Sequence, residues 1–183
     1  MAFKISDITG ALRYGGARPT LFQVELTSKF DGALNQVAPF MIQAASLPAS
    51  SIGSIEVPYF GRKIRVAGDR TFEPWQVTIM NDEDFRVRHS MELWHNKINS
   101  LRDNAMGTNS SSPTNYKSDA IITQFGKKGN VIRKYKFYDL FPTEISGIDV
   151  DWNATDTIET FSVVFSYDWY EVINGGAGNS TLA

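Results

Sequence analysis

Apolar and polar side chains alternate with period two along much of the chain. Phe22, Val24 and Leu26 fall on one side of a strand, and Gln23, Glu25 and Thr27 on the other. Trp75, Val77 and Ile79 repeat the pattern against Gln76 and Thr78. The longest case lies near the end, where Phe161, Val163, Phe165, Tyr167 and Trp169 alternate with Thr160, Ser162, Val164, Ser166 and Asp168. Strands of this kind pack one face on a core and turn the other to water, as in antiparallel sheets. Residues 40–45, 52–60, 120–125, 131–138 and 144–150 are further predicted strands. Gly126-Lys127-Lys128-Gly129-Asn130 between two of them reads as a hairpin turn.

One segment breaks the alternation. Asn81 suits a helix N-cap, and Asp82, Glu83 and Asp84 place negative charge in a first turn, where the helix dipole favours it. Val87, Met91, Trp94, Ile98 and Leu101 then recur at helical spacing and predict a single stripe laid against the sheet. Residues 102–118, with Gly107, Ser110, Ser111, Ser112 and Pro113, read as a polar mobile loop. Residues 172–183 read as a flexible C-terminal tail rich in small side chains.

At 183 residues the chain can bury a full core, and nothing in its composition divides it, so one domain over 1–183 is expected. A composition 42% hydrophobic and 13% aromatic belongs to a folded chain. The 18 basic and 20 acidic residues nearly balance, which disfavours affinity built on gripping nucleic-acid phosphates. With no cysteine there are no disulfides, thiolate metal sites or cysteine nucleophiles, and the chain suits assembly in a reducing cytoplasm. Met1 to Thr9 lacks the pattern of a signal peptide, and no apolar run approaches the ~20 residues of a membrane span.

Candidate chemistry is sparse. His89 and His95, six residues apart on a helix, diverge by roughly 120° and cannot share a metal. Gly175-Gly176-Ala177-Gly178 has no helix after it to complete a phosphate loop. Asp149, Asp151 and Asp156 match no calcium-loop spacing, and Asp149 and Asp151 would share one face of a strand as solvated charges. The Asn-X-Ser/Thr triplets at Asn109, Asn153 and Asn179 need a secretory route that the chain does not announce. No catalytic residue, cofactor or metal is expected.

Charge is nonetheless unevenly placed. Arg62, Lys63, Arg65 and Arg70 cluster in one segment, and Lys127, Lys128, Arg133, Lys134 and Lys136 in another. Glu144, Asp149, Asp151, Asp156 and Glu159 form an acidic stretch. These are either solvated strand edges, which charge protects from aggregation, or complementary patches through which copies of the chain meet.

Four stretches together resemble the tail tube protein of contractile-tailed bacteriophages. They are Ala17-Arg18-Pro19-Thr20-Leu21-Phe22-Gln23-Val24-Glu25-Leu26, Ala45-Ser46-Leu47-Pro48-Ala49, the run from Lys63 through Ala67-Gly68-Asp69-Arg70-Thr71-Phe72 to Met80-Asn81-Asp82-Glu83, and Phe141-Pro142-Thr143-Glu144 with Val150-Asp151-Trp152 and the final strand. The similarity covers about Ile5 to Glu171. It is weakest at residues 28–38 and 103–118 and after Val172.

The resemblance implies a mainly β fold: an antiparallel β-sandwich or barrel-like domain with one α-helix, whose inner strands join into a β-barrel in a hexameric ring. Stacked rings would form a hollow tube that carries DNA into the host. The implied partners are further copies of the chain, a tail sheath protein, baseplate and tail-terminator proteins, and, transiently in the lumen, a tape measure protein and DNA. The implied location is the virion tail, assembled in the bacterial host cytoplasm. Thr160, Ser162, Ser166 and Asp168 are the lumen-facing candidates, and Arg62, Lys63, Arg65, Arg70, Arg133, Lys134, Glu144, Asp149 and Asp151 the inter-subunit candidates.

Two other classes stay open on the residues. One is the tube of a related injection machine (a tailocin, a type VI secretion tube or an extracellular particle) that delivers protein effectors. The other is an all-β binding module with Trp75, Trp152 or Trp169 as stacking platforms, although each lies in a strand pattern where core burial is expected.

Overall fold

The computed structural model describes residues 5–12, 16–107 and 110–175. Among them are nine strands and four helical segments. The strands are β1 (Phe22–Leu26), β2 (Ile42–Ala45), β3 (Ser50–Tyr59), β4 (Arg62–Phe72), β5 (Trp75–Met80), β6 (Ser118–Phe125), β7 (Val131–Ile145), β8 (Thr160–Ser166) and β9 (Trp169–Gly175). The helices are α1 (Ile5–Ala11), α2 (Gly32–Met41), α3 (Arg86–Ile98) and α4 (Pro113–Tyr116). The mainly β, antiparallel class is as expected.

Seven strands form one sheet in the order β1-β6-β7-β8-β5-β2, with β9 also on β7, and all pairings are antiparallel. Strand β7 holds it together by changing partners part-way. Its first half lies between β6 and β9, and its second half pairs with β8. Phe137 and Leu140 are both fully buried although three residues apart, which a regular two-residue period forbids. Asp139, at φ 57°, supplies the extra residue opposite a bulge between Ser118 and Ala120, and the strand bends there.

The bend lets the two halves of the sheet enclose one core. Trp75 stacks on Phe137 at 4.5 Å and donates its indole N–H to the Ser46 carbonyl at 2.8 Å. Trp94, buried on α3, donates to the Tyr116 carbonyl at 2.8 Å and lies 6.3 Å from the Phe165 ring. Helix α3 buries Val87, Met91 and Trp94, and α2 adds Leu34 and Ala38.

Several expectations shift. Helix α2 was not expected, because Gly32 at its start and Pro39 inside it weaken the local signal; its buried positions make it helical through packing. Phe40 and Met41 belong to this helix, so the strand predicted over 40–45 shortens to β2. Helix α3 begins at Arg86, after Phe85 at φ 52°, and the capping acceptor is the Asp82 carboxylate, which takes the Arg86 N–H at 3.0 Å. Asn81 instead donates its backbone N–H to the Glu159 carbonyl, prolonging the β5–β8 ladder. The helix stops at Ile98, because Asn99 is extended, and this leaves Leu101 exposed. No strand covers 144–150: Glu144 and Ile145 end β7, and 146–159 is irregular. The last predicted strand is divided at Tyr167–Asp168 into β8 and β9, and β9 continues to Gly175 with Val172 buried. Gly176 to Ala183 lie outside the described residues. Within 102–118, α4 is tied down through Tyr116, and Ser118 donates to the Thr27 carbonyl.

Candidate assembly surfaces

Strands β3 and β4 stand apart from the main sheet as a two-stranded hairpin of 23 residues, Ser50 to Phe72. Tyr59 pairs with Arg62, so Phe60 and Gly61 are the whole loop; both have positive φ (42° and 77°), as a type I′ turn requires. Near the base Gly68 allows close packing, because a Cβ there would come 3.2 Å from the Gly53 carbonyl oxygen.

Facing pairs sort the hairpin into two sides. Val57 opposite Ile64 and Ile55 opposite Val66 form an apolar face continued by Tyr59, and every one of these side chains is exposed. Glu56 opposite Arg65 and Pro58 opposite Lys63 form the other face, where Glu56 holds Lys63 at 2.7 Å and Arg65 at 3.5 Å. An isolated hairpin is marginal in water at best, and an uncovered apolar side on one marks a contact surface.

The second basic block does not form one patch. Lys127 and Lys128 lie in the exposed β6–β7 turn. Arg133 shares the face of β7 that carries Phe137 and lies 5.1 Å over the Tyr135 ring. Lys134 and Lys136 occupy the opposite face, where Lys136 pairs with Asp119 at 3.0 Å and lies 4.2 Å over the Tyr138 ring. The hydrogen bond to Asp119 raises the Lys136 ammonium above its ordinary range. Tyr138 stacks on Trp169 at 4.0 Å and donates to Glu171 at 2.9 Å, which raises its phenol.

The acidic residues gather at one end. Glu144 is exposed near the end of β7, and Asp149, Asp151, Asp156 and Glu159 are exposed in the 146–159 loop. Asp149 and Asp151 therefore do not share a strand face, because this segment has no sheet neighbour to pair with. Trp152, for which core burial was expected, is 100% exposed in the same loop, whereas Trp75 is buried and Trp169 is 39% exposed.

The lumen candidates occupy one strand and the turn after it. Thr160 is exposed, Ser162 and Ser166 are half-buried on the outward side of β8, and Asp168 pairs with Lys117 at 2.5 Å beyond the strand. His89 is exposed, and His95 contacts the Pro142 carbonyl at 3.1 Å. Among the described residues no group of three or more His, Asp or Glu is placed to hold a metal ion, and no helix is long and apolar enough to cross a membrane.

The register of β5 orders these surfaces along the molecule. Trp75 pairs with Phe165 at one end and Met80 with Thr160 at the other. The hairpin departs next to Trp75 and the acidic loop returns at Thr160, so the two leave opposite ends of the same strands, about 17 Å apart at ~3.3 Å per residue.

Residues 17–173 match the family model described as phage tail tube protein. The chain belongs to the phage tail tube protein family. It is 35% identical over 169 residues to tail tube protein gp19 of Enterobacteria phage T4, a match spanning 91% of this chain and 99% of that protein. Tail tube proteins are structural parts of the virion tail and not enzymes. The fold is shared with a chain of the anti-feeding prophage baseplate, at TM-score 0.61 and 10% identity over 88% of this chain and 98% of that one. It is shared too with a chain of the sheath–tube complex of the extracellular contractile injection system PVC, at TM-score 0.54 and 17% identity over 92% and 97%.

The sequence pointed to the tail tube family but not to the apolar hairpin face. Alternation over 52–60 signals one apolar side without telling what covers it, and in β4 the basic cluster and the family-like run from Lys63 to Phe72 do not single out Ile64 and Val66 as an outward face.

Proposed function

We propose that this tail tube subunit closes into hexameric rings, that the rings stack into a hollow tube, and that DNA passes through the bore into the host. The observation that carries this reading is the uncovered apolar face of the β3–β4 hairpin, which a neighbouring copy in a closed, repeating assembly would cover on every subunit. Thr160, Ser162 and Ser166 on the outward side of β8 suit the wall of a water-filled bore. Asp168 stands at the end of the same strand, its charge balanced by Lys117.

Around the tube we place a sheath protein outside, baseplate and terminator proteins at its ends, and a tape measure protein within during assembly. The 35% identity to a phage tube, against 10–17% to the injection-particle chains, supports the phage tail as its setting. The test is assembly as a function of concentration, by light scattering and electron microscopy. The unaltered chain should form rings or tubes. Val57→Lys with Ile64→Lys, both at exposed positions, should leave folding by circular dichroism unchanged and abolish assembly. Assembly of this variant at the unaltered concentration would refute the hairpin's part in it.

A further inference from the structure

The 146–159 loop is anchored at its two ends and free between them. Ser146 is held three ways: its N–H donates to the Ser162 carbonyl at 2.9 Å, its hydroxyl accepts the Ser162 N–H at 2.8 Å, and its carbonyl accepts from Arg88 at 2.8 Å. At the other end the Glu159 carbonyl and carboxylate accept from Asn81 at 2.8 and 3.1 Å. Ile148 packs against the core. Among the described residues, no hydrogen bond or ion pair joins 149–158 to anything but itself. Within it the Asp151 carboxylate accepts from the Asn153 backbone at 3.0 Å and from its side-chain amide at 3.1 Å, and Ala154 donates to the Asp151 carbonyl at 3.1 Å. This compact turn carries Trp152, fully exposed, between exposed Val150 and Ile158.

A cleft of complementary character lies a short way along β7. Helix α3 runs beside the second half of that strand, with Arg88 on the Ser146 carbonyl and His95, about two turns later on the same helical face, 3.1 Å from the Pro142 carbonyl. Past the helix the chain folds back, held by the Leu101 N–H on the Asn96 side chain at 3.1 Å and the Asn99 amide on Asn104 at 2.9 Å. The fold-back leaves a cleft of about 560 Å³, with Ile98, Leu101, Phe141 and Pro142 in its walls. Leu101 is exposed, and Lys97 and Arg102 stand exposed nearby against one acid, Asp103. The loop holds Asp149, Asp151, Asp156 and Glu159 and no basic residue. An indole flanked by acids thus has its counterpart in an apolar cleft flanked by cations.

The loop that fits this cleft is on the same chain and within reach. Pro142 and Ser146 are four residues apart along β7, on the order of 13 Å at ~3.3 Å per residue. Trp152 lies six residues beyond Ser146 and seven before Glu159, enough chain for roughly 20 Å. A segment tethered this closely acts at an effective concentration of roughly millimolar order, which favours it over the loop of a separate copy in dilute solution.

We infer that residues 149–158 form a lid that is open in this structure and closes over the cleft at the end of α3, seating Trp152 between Leu101 and Phe141 and bringing Asp149 and Asp156 to Lys97 and Arg102. A seated indole cannot also meet a neighbour, so a closed lid withholds the loop from assembly. That consequence rests on the tube reading above; the lid itself does not.

Since the chain has no cysteine, one introduced pair reads the closed form. Ala154→Cys is at an exposed loop position, and Ser100→Cys is in the lining of the cleft. Together they should form an intrachain disulfide in subunit too dilute to assemble, seen as a faster band on non-reducing gels. Adding Trp152→Ala, or Lys97→Glu with Arg102→Glu, should slow its formation about tenfold or more, the effect of losing an anchor or its charge match. No cross-link in the monomer, or a rate indifferent to these changes, would overturn the lid. Cross-linked dimers in place of the intrachain bond would give the cleft to a second copy's loop and overturn it too. Oxidised subunit should form no tubes until reductant is added; tubes from oxidised subunit would overturn the lid's hold on assembly and leave the tube reading intact. A reduced chain that stays monomeric at every concentration would remove the tube reading, with the cross-link still deciding the lid.

Discussion

Replacing Tyr167 with phenylalanine should flatten the response of stability to alkaline pH. The Tyr167 side chain is only 7% exposed, between Phe137 at 4.9 Å and Phe72 at 5.9 Å, where the root of the hairpin meets the core. Burial, with smaller contributions from Tyr170 and Glu73, pushes its phenol up to about 12. An unfolded tyrosine titrates near ~10, so the fold favours the neutral form. The resulting stability is fully present below pH ~10 and is lost as pH rises through about 12. A rise of about two units corresponds to ~3 kcal/mol, at ~1.4 kcal/mol per unit. Phenylalanine keeps the ring and gives up only a 3.5 Å contact to the Ala49 carbonyl, at the outer limit of a hydrogen bond. At neutral pH the two proteins should therefore agree within about 1 kcal/mol. The assay is urea unfolding of dilute subunit, followed by tryptophan fluorescence between about pH 8 and pH 12. The unaltered chain should lose about 2 kcal/mol more than the variant by pH 12, where the phenol of the folded chain is half titrated. Identical pH profiles would refute the burial argument.

Two further outcomes follow from the fold. Asp139→Gly should stabilise the subunit by roughly 0.5–1 kcal/mol in the same assay, because glycine takes φ 57° without strain; Asp139→Val should destabilise it. Trp94→Ala should cost about 3–5 kcal/mol through the cavity it leaves. It should also speed hydrogen exchange around Tyr116, whose carbonyl loses its indole donor; unchanged exchange there would show that α4 is held by other contacts.

Much of the sheet is visible in the spacing of side chains. β1, β5 and β8 alternate cleanly, and Val24, Trp75, Val77, Phe161 and Phe165 are buried as that alternation demands. Helix α3 keeps its stripe from Val87 to Trp94 because those positions meet the core, while Leu101, at the same spacing, falls outside once Asn99 turns extended. Period and type are local properties, carried by neighbours a few residues apart.

What local spacing does not carry is what lies against each face. Ile55, Val57, Ile64 and Val66 have the pattern of core strands, yet they face outward, because the hairpin leaves the sheet at Trp75 and, beyond its root, where Phe72 packs on Tyr167 and Tyr170, these side chains stay exposed. Trp152 has the composition of a buried residue and sits on an irregular loop, since no strand pairs with 146–159. Leu34 and Ala38 are buried in a helix that Gly32 and Pro39 disguise. The 15-residue β7 serves both halves of the sheet only because Asp139 reverses its facing between Phe137 and Leu140. The chain alone determined which residues share a side and which family it belongs to. Long-range strand pairing decided which sides are enclosed and which two surfaces emerge at opposite ends, because covering a face requires residues far away in the chain, or in another copy of it.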